Sequence, residues 1–155
     1  MKNKSTLFLV QAAAIAAIYV VLTLVFAPLS YGEVQVRFSE ALTVLPFFTP
    51  AAVPGLFVGC IIANILGGAI PADIIFGSLA TLLGAVFTYK LRNMGKWIAP
   101  VPPVAANMII VPFVLCYGYG VNLPIPLMML TVGIGEVISA GVIGMILLNV
   151  LSRYK

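Results

Sequence analysis

The sequence predicts an all-α integral membrane protein of six transmembrane helices, with a short second helix and both termini cytoplasmic. Three observations predict it. Of 155 residues, 63% are hydrophobic and only 8% are charged, with a mean hydropathy of +1.19. A soluble fold this small cannot hide so much apolar surface. The apolar residues come in long runs that do not alternate, which excludes barrel strands of about 10 residues and favours helices of roughly 20. Finally, the basic residues gather in three clusters near the ends of those runs.

Interruptions by Pro, Gly and charge mark spans near 6 to 27, 51 to 67, 72 to 90, 98 to 118 and 125 to 151. Residues 37 to 49 are left over. At about 1.5 Å per residue they are too short to cross a bilayer as a straight helix. Charge parity decides their role. Lys and Arg near span ends favour the cytoplasmic side, and the clusters are Lys2 with Lys4, Lys90 with Arg92 and Lys96, and Arg153 with Lys155. Three spans separate the first cluster from the second unless 37 to 49 also crosses; counting it makes four and puts every cluster inside. Only Arg37 among the eight basic residues then falls outside. The loop before the short helix is expected to sink into protein, where irregular backbone lines a cavity instead of meeting lipid. The whole chain, 1 to 155, reads as one transmembrane domain.

This topology places Glu33, Glu40, Asp73 and Glu136, the only four acids, in the outer half together with Arg37. An ionisable group at membrane depth costs at least a few kcal/mol unless paired or wet, so such groups mark a site. Arg37 and Glu40 lie three apart and either pair with each other or meet a ligand. Asp73 follows Pro71 at a helix start, where a carboxylate can cap free N–H groups. Glu33 is either a solvated loop charge or part of the pocket rim. Glu136, in GIGEVISAG, lies well inside a helix where no cap or surface explains it, and is the first choice for a ligand contact. Asn64 and Asn107 either hydrogen-bond between helices or reach the solute. Tyr31, Tyr117 and Tyr119 lie near the outer mouth, as interfacial anchors or as stacking partners for a flat ligand.

In the first helix, QAAAIAAIY places Ala12, Ala13, Ala16 and Ala17 as a small-residue stripe that lets another helix approach closely, and spacing alone favours packing within the chain. Gly133, Gly141 and the pair Gly67 and Gly68 are expected to serve internal packing too. There is no G-x-x-x-x-G-K-[ST] loop for ATP hydrolysis. With no His, and with Cys60 and Cys116 inside apolar spans, no metal site and no Cys-His catalytic pair is available. The sequence therefore predicts no enzyme, no cofactor and no nucleic-acid partner.

The stretch YGEVQVRFSEALTVLPFFTPAAVPGLFVGCIIANILGG, with the six-helix plan and the alanine-rich first helix, resembles the QueT family of queuosine-precursor substrate-binding (S) components of energy-coupling factor transporters. The likeness covers nearly the whole chain, and VQVRFSEALTVLPFF is its specific part. It implies a plasma-membrane protein of a prokaryote that binds a 7-deazaguanine, such as 7-aminomethyl-7-deazaguanine or queuine, on the outside. It also implies partners: a membrane coupling subunit, EcfT, and two cytoplasmic ATPases, with the alanine stripe as the docking face. Glu136, Glu40, Arg37, Asn107, Asn64, Asp73, Glu33 and Tyr117 are the expected substrate-binding residues. Two rival readings are an S component for another flat vitamin such as thiamine, and a self-sufficient channel or structural membrane protein.

Overall fold

The computed structural model describes residues 2–30 and 35–154. Among them every regular element is a helix. These are α1 (Lys2–Val25), the one-turn α2 (Ala27–Ser30), a 3₁₀ helix (Phe38–Phe47), α3 (Ala52–Leu66), α4 (Pro71–Leu91), α5 (Val101–Phe113), α6 (Ile125–Glu136) and α7 (Gly144–Leu151). Short 3₁₀ turns, Arg92–Met94 and Lys96–Ile98, link α4 to α5. Wider π-helical segments follow α5 (Val114–Gly118) and join α6 to α7 (Val137–Ile143).

The breaks have local causes. Pro71 opens α4 at a position where its missing N–H is not needed. Pro112 inside α5 removes one backbone hydrogen bond, and the helix loosens into the π segment two residues later. Gly68 adopts φ +75° in the turn after α3, and a Cβ placed there would meet nothing within 4 Å. Its role is conformational, which corrects the expectation of close packing there.

Among the described residues four helices are long and apolar enough to cross a membrane: Asn3–Val25, Pro71–Met94, Lys96–Gly118 and Ile125–Leu151. Phe38–Phe47 and Ala52–Leu66 are apolar but shorter. The 3₁₀ form stretches the first of these. At about 2.0 Å per residue its ten residues reach roughly 20 Å, where an α-helix would reach about 15 Å.

Helices α1 and α3 run in the same direction. A Cβ on Gly55 would stand 2.7 Å from the Ala12 carbonyl oxygen, and one on Gly59 would stand 3.0 Å from Ala16 Cα. Contacts that advance by four residues on both helices require parallel axes, so the segment between them returns the chain along the bundle. Helix α4 is antiparallel to α3, with Thr81 beside Cys60 and Asp73 beside Asn64. Helix α5 is antiparallel to α4, with Pro103 against Gly84 and the Ala99 carbonyl accepting from Thr88.

The 3₁₀ helix is the central element. Seven of its ten residues are buried, and it touches α1, α3, α4 and α7. Leu42 packs with Tyr19, Leu56, Cys60 and Ala85, while Val44 packs with Ala99 and Leu148. Its polar backbone and side chains are therefore screened from lipid by neighbouring helices, the only setting in which such a segment is stable at membrane depth.

Candidate functional site

Polar side chains from every long helix converge on the 3₁₀ helix. With three residues per turn, Arg37, just before it, and Glu40 and Thr43 within it stack along one edge. All three are buried. Glu40 does not spend its carboxylate locally. Its Oε1 accepts a hydrogen bond from the Tyr19 hydroxyl on α1, and its Oε2 is buried without a partner. The base of this contact is fixed by the Thr23 hydroxyl, which bonds the Tyr19 carbonyl at 2.9 Å and Ser39 Oγ at 2.7 Å.

Glu136 ends α6 where the helix widens, and its side chain is 6% exposed. Its Oε2 is also without a partner. Asn107 of α5 lies beside the carboxyls of both Glu40 and Glu136, yet its Nδ2 makes no hydrogen bond of good geometry. Arg37 lies within electrostatic reach of both acids. Two carboxyls, one amide and one guanidinium thus share a small buried volume with three polar atoms unspent.

A second group sits on the α3–α4 seam around Cys60. Its Sγ lies 3.9 Å from an Arg37 guanidinium nitrogen, 3.7 Å from Asn64 Nδ2 and 3.5 Å from Thr81 Oγ1. Asn64 Nδ2 also donates to the Asp73 carbonyl at 3.4 Å. Among the described residues, Asn64 Oδ1 and Ser78 Oγ are the other buried side-chain atoms without partners.

Asp73 does not act as the expected helix cap: α4 has no side-chain cap bond, and its N-cap position is Ile70. The Asp73 carboxylate instead accepts from the Tyr119 hydroxyl at 2.9 Å, and the same hydroxyl accepts from the Ile70 N–H at 3.4 Å. Burial, then the neighbouring Asp73 carboxylate, pushes the Tyr119 hydroxyl up to about 12.

Of the residues expected from sequence, Glu136, Glu40, Arg37, Asn107 and Asn64 come together, and Asp73 joins at the seam. Tyr117 does not. It is 78% exposed, stacks on Phe113 and lines an apolar groove of about 370 Å³ between α4 and α5 with Phe76 and Ile109. That groove offers no charge to a polar solute, and the unspent atoms lie elsewhere. Glu33 and Tyr31 fall outside the described residues. Tyr19, Cys60, Ser78 and Thr81 are members that sequence reading missed; a hydroxyl or thiol in an apolar run was the available signal.

The alanine stripe divides. Ala16 is buried and Ala12 half-buried against α3, whereas Ala13 and Ala17 are exposed.

The sequence model of the family described as QueT transporter matches residues 9–153. The chain belongs to the QueT transporter family. A curated relative, the queuosine precursor transporter QueT of Lactococcus lactis subsp. cremoris (strain MG1363), is 38% identical over 85 residues. That alignment takes in 54% of this chain and spans about half the length, 50%, of the relative. No solved structure matches. The QueT family is a transporter family, not an enzyme family, and four apolar helices of crossing length accord with a multi-pass membrane protein.

Proposed function

We propose that this QueT family member is the solute-capturing S component of an energy-coupling factor importer, acting as one membrane domain over 1–155. Its solute is a queuosine precursor, a 7-deazaguanine such as 7-aminomethyl-7-deazaguanine or queuine. The observation that carries this reading is the set of unpartnered buried atoms Glu40 Oε2, Asn107 Nδ2 and Glu136 Oε2. A buried polar atom left without a partner costs about 1–3 kcal/mol, so three together favour a ligand that pairs them. Carboxyl oxygens accept from the solute's N–H groups, and charge-assisted bonds to an ammonium are roughly twice as strong as neutral ones. Asn107 donates to an acceptor on the same solute.

Six crossings support capture from outside. Parallel α1 and α3 need a return between them, and the buried 3₁₀ helix supplies it. Both termini and the basic residues other than Arg37 then face the cytoplasm of a prokaryotic cell. Energy comes from two ATPases through EcfT, which docks on α1 at the exposed Ala13 and Ala17. The cycle runs from binding outside, through toppling of the subunit against EcfT, to release inside.

Titration calorimetry of detergent-purified protein tests the reading. Saturable binding of 7-aminomethyl-7-deazaguanine or queuine, with guanine and thiamine silent, is expected. Thiamine binding with both deazaguanines silent would overturn the solute; silence of every solute on folded protein would overturn the capture site.

A further inference from the structure

The α3–α4 seam holds two shielded atoms that the acid pair leaves unexplained. Asn64 and Ser78 are 0% and 1% exposed, and Asn64 Oδ1 and Ser78 Oγ have no partner. The Asn64 amide is oriented by its neighbours. With Nδ2 toward the Asp73 carbonyl it donates; turned over, its oxygen would face that carbonyl oxygen and repel it. Oδ1 is therefore the end left over. Ser78 follows Gly77, where a Cβ would stand 3.5 Å from Asn64 Nδ2, so the backbone of α4 at Ser78 runs beside Asn64. Thr81, one turn on, spends its hydroxyl on the Gly77 carbonyl at 3.3 Å. Ser78 has the same backward bond open to it on a helix, yet does not make it.

An oxygen that only accepts, on the same seam as a hydroxyl free to donate, complements a neighbouring N–H and C=O. Such a pair is the lactam edge of a guanine-like ring. The charges nearby agree. Arg37 reaches the seam at Cys60 Sγ, and a guanidinium favours a carbonyl oxygen over an ammonium. Asp73, the local carboxylate, is engaged by Tyr119.

We infer that the α3–α4 seam is a second pole of the solute site, distinct from the Glu40 and Glu136 pair. There Asn64 accepts an N–H and Ser78 donates to a carbonyl of the lactam edge, leaving Glu40 and Glu136 for the solute's amine groups. This inference rests on the deazaguanine reading and adds an orientation to it.

The test is calorimetry of purified wild type, Ser78→Ala and Ser78→Cys with two probes: 7-deazaguanine, and 2-amino-7-deazapurine, which lacks the lactam. Wild type is expected to prefer 7-deazaguanine. Ser78→Ala should weaken 7-deazaguanine by about five- to tenfold, the worth of one hydrogen bond, and leave 2-amino-7-deazapurine unchanged. Ser78→Cys, of similar size with a weaker donor, should show the same ligand-dependent pattern. Because the hydroxyl is unpartnered in the empty protein, the thermal midpoint of unliganded Ser78→Ala should not fall. Equal loss on both probes, no loss on either, or a wild type blind to the lactam overturns the seam's role while the deazaguanine reading stands. A wild type that binds no deazaguanine overturns both.

Discussion

Glu136 sits at the point where α6 widens into a π segment, a distortion that turns a side chain away from the regular helical register and recurs at functional sites. Its unspent Oε2 lies among Glu40, Asn107 and Arg37. Glu136→Gln keeps the shape and turns one acceptor oxygen into an amide donor. Solute affinity should fall by about tenfold, since losing one partner of a buried hydrogen bond costs about 1–3 kcal/mol. Co-purification with EcfT should be unchanged; loss of both would assign Glu136 to folding. Tyr119 offers a titration. The neutral hydroxyl is favoured in the folded protein, so its contribution is complete below pH 10 and is lost as pH rises through about 12. Ultraviolet absorbance should show a late-titrating tyrosine that Tyr119→Phe removes and Asp73→Asn brings to lower pH. A late component that survives Tyr119→Phe would assign it to another tyrosine. The acids and amides of the cluster were readable because a polar group in an apolar run is costly enough to be noticed. Ser78, Thr81, Cys60 and Tyr19 were not, because such groups sit cheaply in helices, often bonded to their own backbone. Tyr117 and Tyr119 differ by only two residues, and the π segment between α5 and the loop decides which one turns toward Asp73.

At the scale of elements, one residue's step in α1 separates two roles. Ala12 and Ala16 lie on α3, and Ala13 and Ala17, about 100° further round, face outward. The stripe was legible; its division was not, because an apolar helix shows no polar face to orient it. The division predicts opposite outcomes for neighbouring changes. Gly55→Leu drives a side chain into the Ala12 carbonyl and should destabilise the detergent-solubilised protein by roughly 1–3 kcal/mol or more, read as a lower thermal midpoint. Ala13→Trp should leave that midpoint and solute binding in place and abolish assembly with EcfT. Normal assembly in a folded Ala13→Trp protein would move the docking surface elsewhere. Residues 37 to 49 were recognisable as a short element, but not as a 3₁₀ helix, since nothing in FSEALTVLPF dictates that form. Seven of its ten residues are held by tertiary contacts, and Pro46 withholds one N–H from the α-helical ladder.

At the scale of the molecule, the direction of each helix links packing to transport. Apart from Arg37, the described basic residues Lys4, Lys90, Arg92, Lys96 and Arg153 collect at the start of α1, the α4–α5 link and the end of α7. Lys96 Nζ bonds Ser152 Oγ at 2.9 Å, tying two of these places together. Parallel α1 and α3 put the turn at Thr49 and Pro50 near the same end, and Thr49 Oγ1 meets Gln11 there. If that end is cytoplasmic, as positive charge favours, single cysteines at Lys4, Pro50, Lys96 and Arg153 should resist a membrane-impermeant maleimide applied to intact cells. Cysteines at Gly68 and Gly120, whose turns lie at the opposite end, should react. Cys60 is buried and Cys116 partly buried, so a background with both replaced by serine serves as the control for their contribution. Labelling of Pro50 from outside would break the return crossing and leave five spans. Labelling of all four basic-end sites with Gly68 and Gly120 protected would instead invert the protein and close the proposed site to solute arriving from outside.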